Sequence, residues 1–320
     1  MRKRSGIQPS GRLHLGNYFG MMKPALELQK QGQAYLFIAD YHALTSVTDA
    51  AALRQGSIDV ALDFLAAGLD TDKTLFYRQS DIPEVTELSW LLSVVTPMGL
   101  LERCHSYKDK VAKGLPATHG LFAYPVLMAA DILIMNSNVV PVGRDQKQHV
   151  EVTRDIAIKF NNIYGQVFTI PEPPIREEVA VVPGVDGQKM SKSYNNTVEI
   201  FGDLKQARAN IMKIVTDSKS VADKKNPDEC NVFALYRLFA TDAEREAMAA
   251  RYREGGLGYG EVKKALFEKF EAHFTPLRKK REELQKNMDY VHSVLRQGAD
   301  RARTEAVGTL KKARQAVGLE

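Results

Sequence analysis

Short apolar runs alternate with segments of helical periodicity over the first two hundred residues of the chain. Apolar positions at helical spacing predict helices near residues 17–31, 50–68, 85–95 and 147–162. The apolar runs between them are candidate strands: Tyr35–Ala39, Thr74–Tyr77, Val139–Val142 and Val179–Val182. Strands that alternate with helices indicate βαβ units and a mostly parallel sheet, whose ligands bind beyond the carboxyl ends of the strands.

From about residue 203 the pattern becomes helical throughout. The predicted helices cover residues 203–215, 231–240, 242–253, 259–272, 276–284 and 300–316. Helix-breaking residues separate them at Asn226-Pro227, at the glycines of 255–258 and near Gly298. We therefore predict an α/β catalytic domain over residues 1–200 and an all-helical domain over residues 201–320.

Composition narrows the class of protein. The chain has 320 residues, of which 44% are apolar and 26% charged, as in ordinary globular proteins. No apolar run approaches the roughly 18 residues that span a bilayer, and the basic start is not followed by the apolar stretch of a signal peptide. Two cysteines argue against a disulfide framework or a Cys-rich zinc site. We expect a cytoplasmic protein without a membrane partner.

Positive charge is concentrated in the predicted helical domain. Residues 1–200 hold 20 Lys and Arg against 21 Asp and Glu, whereas residues 201–320 hold 24 against 18. An excess of basic residues suits contact with a phosphate backbone, but it also fits a solvated Lys-rich surface.

A glycine-rich turn near the start has the composition of a phosphate site. Gly6-Ile-Gln-Pro-Ser-Gly11 predicts a sharp turn from strand to helix. Exposed N–H groups at the helix start favour an anion, and His14 can donate to a phosphate oxygen. Asn17 can orient the same group. The segment matches neither G-x-G-x-x-G nor the P-loop pattern, and taken alone it also fits an ordinary turn.

A second segment supplies two cations. Residues 183–193 read Pro-Gly-Val-Asp-Gly-Gln-Lys-Met-Ser-Lys-Ser, with Lys189 and Lys192 three apart in a polar, glycine-rich loop. Both ammonium groups can converge on a departing pyrophosphate and stabilise its charge in the transition state. The alternative is an exposed basic loop without such a role.

A carboxylate in an apolar context indicates specificity. Asp131 follows Tyr124 and Met128 at helical spacing, so the three share one face if the segment is a helix. A buried carboxylate facing an apolar pocket would select a large, flat ligand with one N–H or O–H donor. The other interpretation is a structural Asp bonded to neighbouring groups.

These motifs resemble known families. Pro9-Ser-Gly-x-x-His-Leu-Gly-Asn17 followed by Lys189-Met-Ser-Lys-Ser193 resembles the signature pair of class I aminoacyl-tRNA synthetases. Together with Ser5-Gly-Ile-Gln-Pro-Ser-Gly11, Tyr124-Pro-x-Leu-Met-Ala-Ala-Asp-Ile-Leu133 and Val140-Pro-Val-Gly-Arg-Asp-Gln-Lys-Gln-His149, it is similar to the bacterial tryptophanyl-tRNA synthetases. The resemblance implies a Rossmann-like, doubly wound parallel sheet with a C-terminal helical anticodon-binding domain. It also implies ATP-dependent activation of L-tryptophan and its transfer to tRNA(Trp).

The resemblance also implies roles for individual residues. The residues implied for catalysis are His14, Asn17, Lys189 and Lys192. Those implied for the tryptophan pocket are Gly6, His42, Tyr124, Met128, Asp131, Val142 and Gln146. Those implied for ATP are Gln8, Pro9, Ser10, Gly16, Asn17, Lys110, Gly143, Arg144, Asp145, Gln146, Val181, Lys189, Met190, Ser191, Lys192 and Ser193. For His149 we prefer a supporting role to catalysis.

Cofactors and partners follow from the same resemblance. We expect ATP with Mg²⁺ held mostly by phosphate oxygens and water, and a homodimer formed in part by residues near 80–130. Some family members carry a four-cysteine iron–sulfur cluster. Here Cys230 looks like one remaining ligand, and the loop 255–261 has no cysteine, so we expect no cluster. The alternatives are a tyrosyl-tRNA synthetase and a paralogue that binds RNA without charging it.

Two arginines depart from the family pattern. Arg4 stands where several members have an aromatic residue near the indole. Its guanidinium either stacks on a ring, or the N-terminus is disordered and the pocket closes differently. Arg144 replaces a usual Glu and places a cation close to the expected ATP site.

Overall fold

A parallel sheet forms the centre of the α/β part. The computed structural model describes residues 2–9, 11–112, 118–140, 147–172 and 182–320, without the side chains of residues 28, 31, 33, 106, 109, 110, 111 and 193. Its strands are β1 (Arg2–Ile7), β2 (Gln33–Ile38) and β3 (Thr74–Arg78), parallel and in the order β1-β2-β3. β2 and β3 confirm two of the predicted strands.

Single bridges extend the sheet on the other side of β1. Lys3 pairs with Val139, and Val139 pairs with Glu172, both in parallel orientation. The order therefore reverses at β1, as in a doubly wound sheet, and the crevice for ligands is expected beyond the end of this strand. The fold class is confirmed. Of the other two candidate strands, residues 141–142 and 179–181 lie outside the described residues.

Helices cover both faces of the sheet. A continuous helical segment follows the first turn, formed by α1 (Leu15–Asn17), a π-helical stretch (Tyr18–Met22) and α2 (Lys23–Leu28), and it ends in a 3₁₀ turn (Gln29–Gln31). The next helices are α3 (Asp40–Ala43), α4 (Ala50–Ala66), α5 (Glu84–Val95), α6 (Met98–Glu102), α7 (His105–Ala112), α8 (His119–Ile134) and α9 (Lys147–Tyr164). The four helices predicted in this part are confirmed, with ends shifted by a few residues.

The apolar strands are explained by burial on two sides. Leu36 and Ile38 point into one core cluster, and Tyr35 and Phe37 point into another. All four are buried, because helices pack on each face and leave no polar side.

The C-terminal part is helical, as predicted, but two of its helices are longer than expected. It contains α10 (Leu204–Met212), α11 (Asn231–Tyr236), α12 (Asp242–Glu254), α13 (Tyr259–Gln285) and α14 (Met288–Val317). The predicted break between residues 272 and 276 is wrong, since α13 continues through Pro276. Phe270 and Phe274 are fully buried on this helix, and their packing outweighs the lost hydrogen bond.

Ion pairs and the last helix join this part to the sheet. Arg281 of α13 binds Asp59 and Asp63 of α4, each at 2.6 Å. The Glu305 carboxylate of α14 accepts a hydrogen bond from the Tyr35 hydroxyl of β2 at 2.8 Å. The helical part thus packs on the catalytic sheet, and the domain division at residue 200 stays a prediction.

Gly298 is a contact residue rather than a helix end. The predicted break near it is wrong, because α14 passes straight through. A Cβ at Gly298 would lie 2.0 Å from the carbonyl oxygen of Phe76 in β3. Glycine therefore lets the helix axis approach the strand backbone, which a helix propensity scale cannot show.

No helix in the described ranges is both long enough and apolar enough to cross a membrane.

We predict that Gly298→Ala destabilises the protein by about 1–3 kcal/mol or more, because α14 must move away from β3. Gly308→Ala on the same helix is the matched control, since nothing lies within 4 Å of the added Cβ. The control should gain up to about 1 kcal/mol from helix propensity. Urea unfolding measures both, and equal stabilities of the two variants would contradict the close approach.

Candidate active site

The two signature segments meet in space. Residues 13–15 pair with residues 198–200 through hydrogen bonds from Leu15 N to Val198 O at 3.0 Å and from Ile200 N to Leu13 O at 3.1 Å. The ammonium of Lys192 donates to the carbonyl of Gly11 at 2.8 Å. Residues about 180 positions apart therefore border one site beyond the end of β1.

His14 caps the N-terminus of the first helical segment. Its Nδ1 accepts a hydrogen bond from the backbone N–H of Asn17 at 3.3 Å, and the Asn17 side-chain oxygen accepts from His14 N at 3.2 Å. Burial, and then the nearby Lys192 ammonium, lower the pKa of His14 to about 4. The ring is therefore neutral at pH 7, and because Nδ1 is an acceptor, the proton sits on Nε2. His14 can present one neutral N–H to an anion.

The lysine loop is organised by a residue that the sequence motifs did not include. Asn196 is buried, and its side-chain oxygen accepts from Ser191 N at 2.8 Å. Its amide nitrogen donates to Asp186 Oδ1 at 2.7 Å and to Lys189 O at 3.1 Å. Asn196 thus fixes both arms of the loop. The one available signal was the pair of asparagines at 195 and 196, which Tyr194 separates from the pentapeptide.

The loop presents its two lysines differently. Lys189 is exposed, and its backbone pairs with Pro183. Lys192 is exposed as a residue, yet its ammonium is held against Gly11, and burial lowers its pKa while Glu199 and Asp63 oppose that effect. Met190 between them is buried in the core and accepts a hydrogen bond from Gly16 N at 3.4 Å. Its side chain anchors the loop.

The remaining residues expected at ATP divide into two groups. Gln8 is exposed, whereas Pro9 is buried beside α4, where a Cβ on Gly56 would lie 2.6 Å from the Pro9 carbonyl oxygen. Ser191 is half-buried. Of those expected at ATP, Ser10, Gly143, Arg144, Asp145, Gln146 and Val181 lie outside the described residues, as do the side chains of Lys110 and Ser193. Val142, expected in the tryptophan pocket, lies outside them as well.

Helix α8 places three of the predicted pocket residues on one face. The segment is helical, so Tyr124, Met128 and Asp131 lie above one another. The Tyr124 hydroxyl is hydrogen-bonded to Nε2 of His149, which is buried on α9. His149 thus contacts Tyr124, and its supporting role stays a prediction. Met128 packs against Ile132, Val140 and Val150.

Three side chains from different elements surround the carboxylate of Asp131. His42 Nε2 of α3 and Gln79 Nε2, just after β3, each donate to Oδ2 at 2.8 Å. Arg4 Nη2 of β1 lies 3.4 Å from Oδ1. Gln79 also accepts from the backbone N–H of His42 at 3.3 Å. Sequence reasoning missed Gln79, although its place right after a parallel strand is where site residues occur.

Arg4 takes the first of the two arrangements expected from its sequence position. Its guanidinium stacks on the Phe37 ring, 4.2 Å from the centroid, and lies 5.9 Å from the Tyr77 ring. Gly6 makes room for Phe37, because a Cβ there would come within 2.5 Å of the ring. The three strands thus form one wall of the site.

Metal chemistry has no dedicated site in the described parts of the chain, where no group of three or more His, Cys, Asp or Glu side chains is placed to hold an ion. Cys230 is a buried free cysteine whose Sγ lies 3.2 Å from the Tyr252 hydroxyl.

Comparison with known proteins agrees with this geometry. The model of the family described as tRNA synthetases class I (W and Y) matches residues 1–275. A tryptophan–tRNA ligase of Rhodopirellula baltica is 54% identical over 319 residues, covering 100% of both chains. One of Fusobacterium nucleatum is also 54% identical and covers 99% of this chain and 98% of its own.

The structural match extends over the whole chain. A tryptophanyl-tRNA synthetase from Campylobacter jejuni, solved in complex with ADP and tryptophan, is 50% identical and has a TM-score of 0.93, with 100% of both chains covered. The matched length and the two meeting signatures lead to the same assignment: the chain belongs to the class I tRNA synthetases of the tryptophan and tyrosine family.

Proposed function

We propose that this chain is a tryptophan–tRNA ligase. It activates L-tryptophan with ATP and transfers the tryptophanyl group to tRNA(Trp). The observation that carries this proposal is the carboxylate of Asp131, held by His42 and Gln79 beside the paired signatures. Full-length identity to ligases of this specificity supports it.

Asp131 supplies the recognition of the indole. Both donors from His42 and Gln79 go to Oδ2, whereas Oδ1 accepts one long hydrogen bond from Arg4 at 3.4 Å, so Oδ1 keeps a second lone pair for the indole N–H. Met128 and Tyr124 lie one and two turns before it on α8 and offer apolar contact to a flat ring. Gly6, Val142 and Gln146 complete the proposed pocket.

The meeting signatures supply the phosphate chemistry. In the first step, a carboxylate oxygen of tryptophan attacks the α-phosphorus, and the bond to the β-phosphate bridging oxygen breaks to release pyrophosphate. His14 donates its Nε2–H to the phosphate oxygens, and Lys189 and Lys192 stabilise the charge of the leaving group. No side-chain nucleophile is needed. Gln8, Gly16, Asn17 and the residues around Gly143 border ATP in this proposal.

Mg²⁺ would enter with the nucleotide as part of the substrate, and it would neutralise phosphate charge with ligands supplied mainly by phosphate and water. In the second step, a hydroxyl of the terminal ribose of tRNA attacks the activated carbonyl and AMP leaves. The C-terminal part, with 24 basic against 18 acidic residues over 201–320, supplies the contact with tRNA. We place the reaction in the cytoplasm, where the buried free cysteines stay reduced.

A homodimer is part of this proposal. Trp90 and Val94 stand one turn apart on α5 and are 69% and 65% exposed, and Met98 at the start of α6 is 63% exposed. Three large apolar side chains close together on a surface mark an interaction site. They lie inside the segment near residues 80–130 that we expect at the interface.

We predict that tryptophan supports rapid amino-acid-dependent exchange of pyrophosphate into ATP. Tyrosine should support it at least about a hundredfold less well, because its phenol is placed differently against Asp131. The ratio of kcat/KM for the two amino acids is the measurement. Equal exchange, or exchange with tyrosine alone, would contradict the assigned specificity.

We predict that Lys192→Ala slows tryptophan-dependent exchange by about a hundredfold or more, since a charge is lost at the leaving group. Thermal unfolding should change little, because Lys192 is exposed as a residue. Lys219→Ala removes another exposed lysine and should keep the wild-type rate. An unchanged rate in Lys192→Ala would refute the role of this lysine.

We predict that Val94→Asp weakens the dimer, because a carboxylate is introduced into the apolar patch. Trp90 is the single tryptophan of the chain, so its fluorescence should shift to the red as it becomes solvated. Val307→Asp on α14, 48% exposed, is the matched control and should leave the dimer intact. Sedimentation velocity gives the mass, and a monomeric wild type would contradict the proposed interface.

A further inference from the structure

Arg4 has no part in the activation chemistry, yet it lies beside the carboxylate proposed to read the substrate. It is 1% exposed, as is Asp131, and the two side chains meet at 3.4 Å. We propose that Arg4 is a specificity-determining residue: it positions the Asp131 carboxylate and fixes it as an acceptor, so that the pocket selects a ring with an N–H donor. This inference rests on the proposed tryptophan specificity.

Arg4 compensates the negative charge of the Asp131 carboxylate. A carboxylate taken out of water is costly unless a cation or several donors face it. Among the described groups around Asp131, His42 and Gln79 donate to one oxygen, and Arg4 is the permanently charged neighbour of the other. Without the guanidinium, no permanently charged group among these described neighbours would face the buried carboxylate.

Arg4 also helps to orient the carboxylate of Asp131. With Oδ2 engaged by two short hydrogen bonds and Oδ1 by one long contact, the carboxylate plane is set by groups from three elements. A carboxylate oxygen has two lone pairs, so Oδ1 can accept from a further donor besides the long hydrogen bond from Arg4 at 3.4 Å. A ligand N–H therefore finds one acceptor, in a fixed direction.

Arg4 is itself held in place by contacts of its side chain and its backbone. Its flat guanidinium stacks on Phe37, and its backbone N–H donates to the Val139 carbonyl at 3.1 Å. Its Nε and Nη1 make no well-formed hydrogen bond among the described residues, although the Tyr77 hydroxyl lies close enough to interact with the guanidinium. Two buried donors without a well-formed hydrogen bond are unfavourable for the fold alone, which argues that the side chain is kept for the pocket. A lysine has the charge but not the planar stack.

The test measures KM and kcat for pyrophosphate exchange with tryptophan and with 3-benzothienylalanine, in which sulfur replaces the ring N–H. We expect Arg4→Met to raise the KM for tryptophan about tenfold or more and to leave kcat within about twofold. The preference for tryptophan over the sulfur analogue should narrow by a similar factor, while the KM for ATP stays unchanged.

Two further variants make the result specific. Arg2→Met removes an arginine of the same strand that pairs with Glu305 at 2.9 Å instead of with Asp131, and it should behave as wild type. Arg4→Lys keeps the charge, so it should preserve the preference for tryptophan and raise its KM only a few-fold. If Arg4→Met does not fold, this variant decides, and a wild-type KM in it would contradict the proposal.

Other outcomes overturn the inference in distinguishable ways. If Arg4→Met lowers only the thermal stability and keeps both KM and the preference, Arg4 is structural. If it lowers the KM for tryptophan, the guanidinium competes with the indole for Oδ1 instead of supporting it. Absence of exchange with tryptophan in the wild type would overturn the proposed function, and this inference with it.

Discussion

A carboxylate buried to 1% exposure has to be surrounded by donors, and Asp131 gathers them from across the chain. Arg4 comes from β1, His42 from α3 after β2, and Gln79 from the turn after β3. Each of the three strands, or the segment directly after it, thus contributes one donor, and α8 contributes the acceptor. The parallel sheet is what places these groups together, because successive strands end at the same edge.

The phosphate side of the site depends on a second long-range contact. The turn at residues 11–17 is complete only when residues 190–200 lie against it, through Lys192 on Gly11, Met190 on Gly16 and backbone pairing at Leu13–Leu15. Neutral His14 follows from this enclosure, since burial and the neighbouring ammonium lower its pKa. A neutral imidazole with a fixed tautomer can donate one hydrogen bond to a phosphate oxygen, and it adds no positive charge that would compete with the lysines for the nucleotide.

The sequence patterns predicted those features of the structure that depend on residues close together in the chain. The shared face of Tyr124, Met128 and Asp131 follows from helical spacing, and the apolar runs of β2 and β3 follow from burial on both faces. The predicted helix break near Gly298 was wrong because helix propensity takes no account of the backbone of β3. The predicted break before Pro276 was wrong because helix propensity takes no account of the packing of Phe270 and Phe274. The sequence analysis did not identify Gln79 and Asn196, because the hydrogen-bond partners of a side-chain amide become known only from the folded structure. The roles assigned to Val142, Gly143, Arg144, Asp145 and Gln146 remain predictions.

The hydrogen bond between the indole and Asp131 is the central claim, and NMR can observe it directly. Tryptophan labelled with ¹⁵N in the indole ring and bound to the protein reports only on the ligand, not on Trp90. We expect the indole N–H proton to move downfield of its position in free tryptophan and to exchange slowly with water. Both effects should vanish in Asp131→Ala, which has no acceptor at this position. An indole proton that keeps its free chemical shift while the ligand is bound would contradict the assignment of Asp131 as the acceptor.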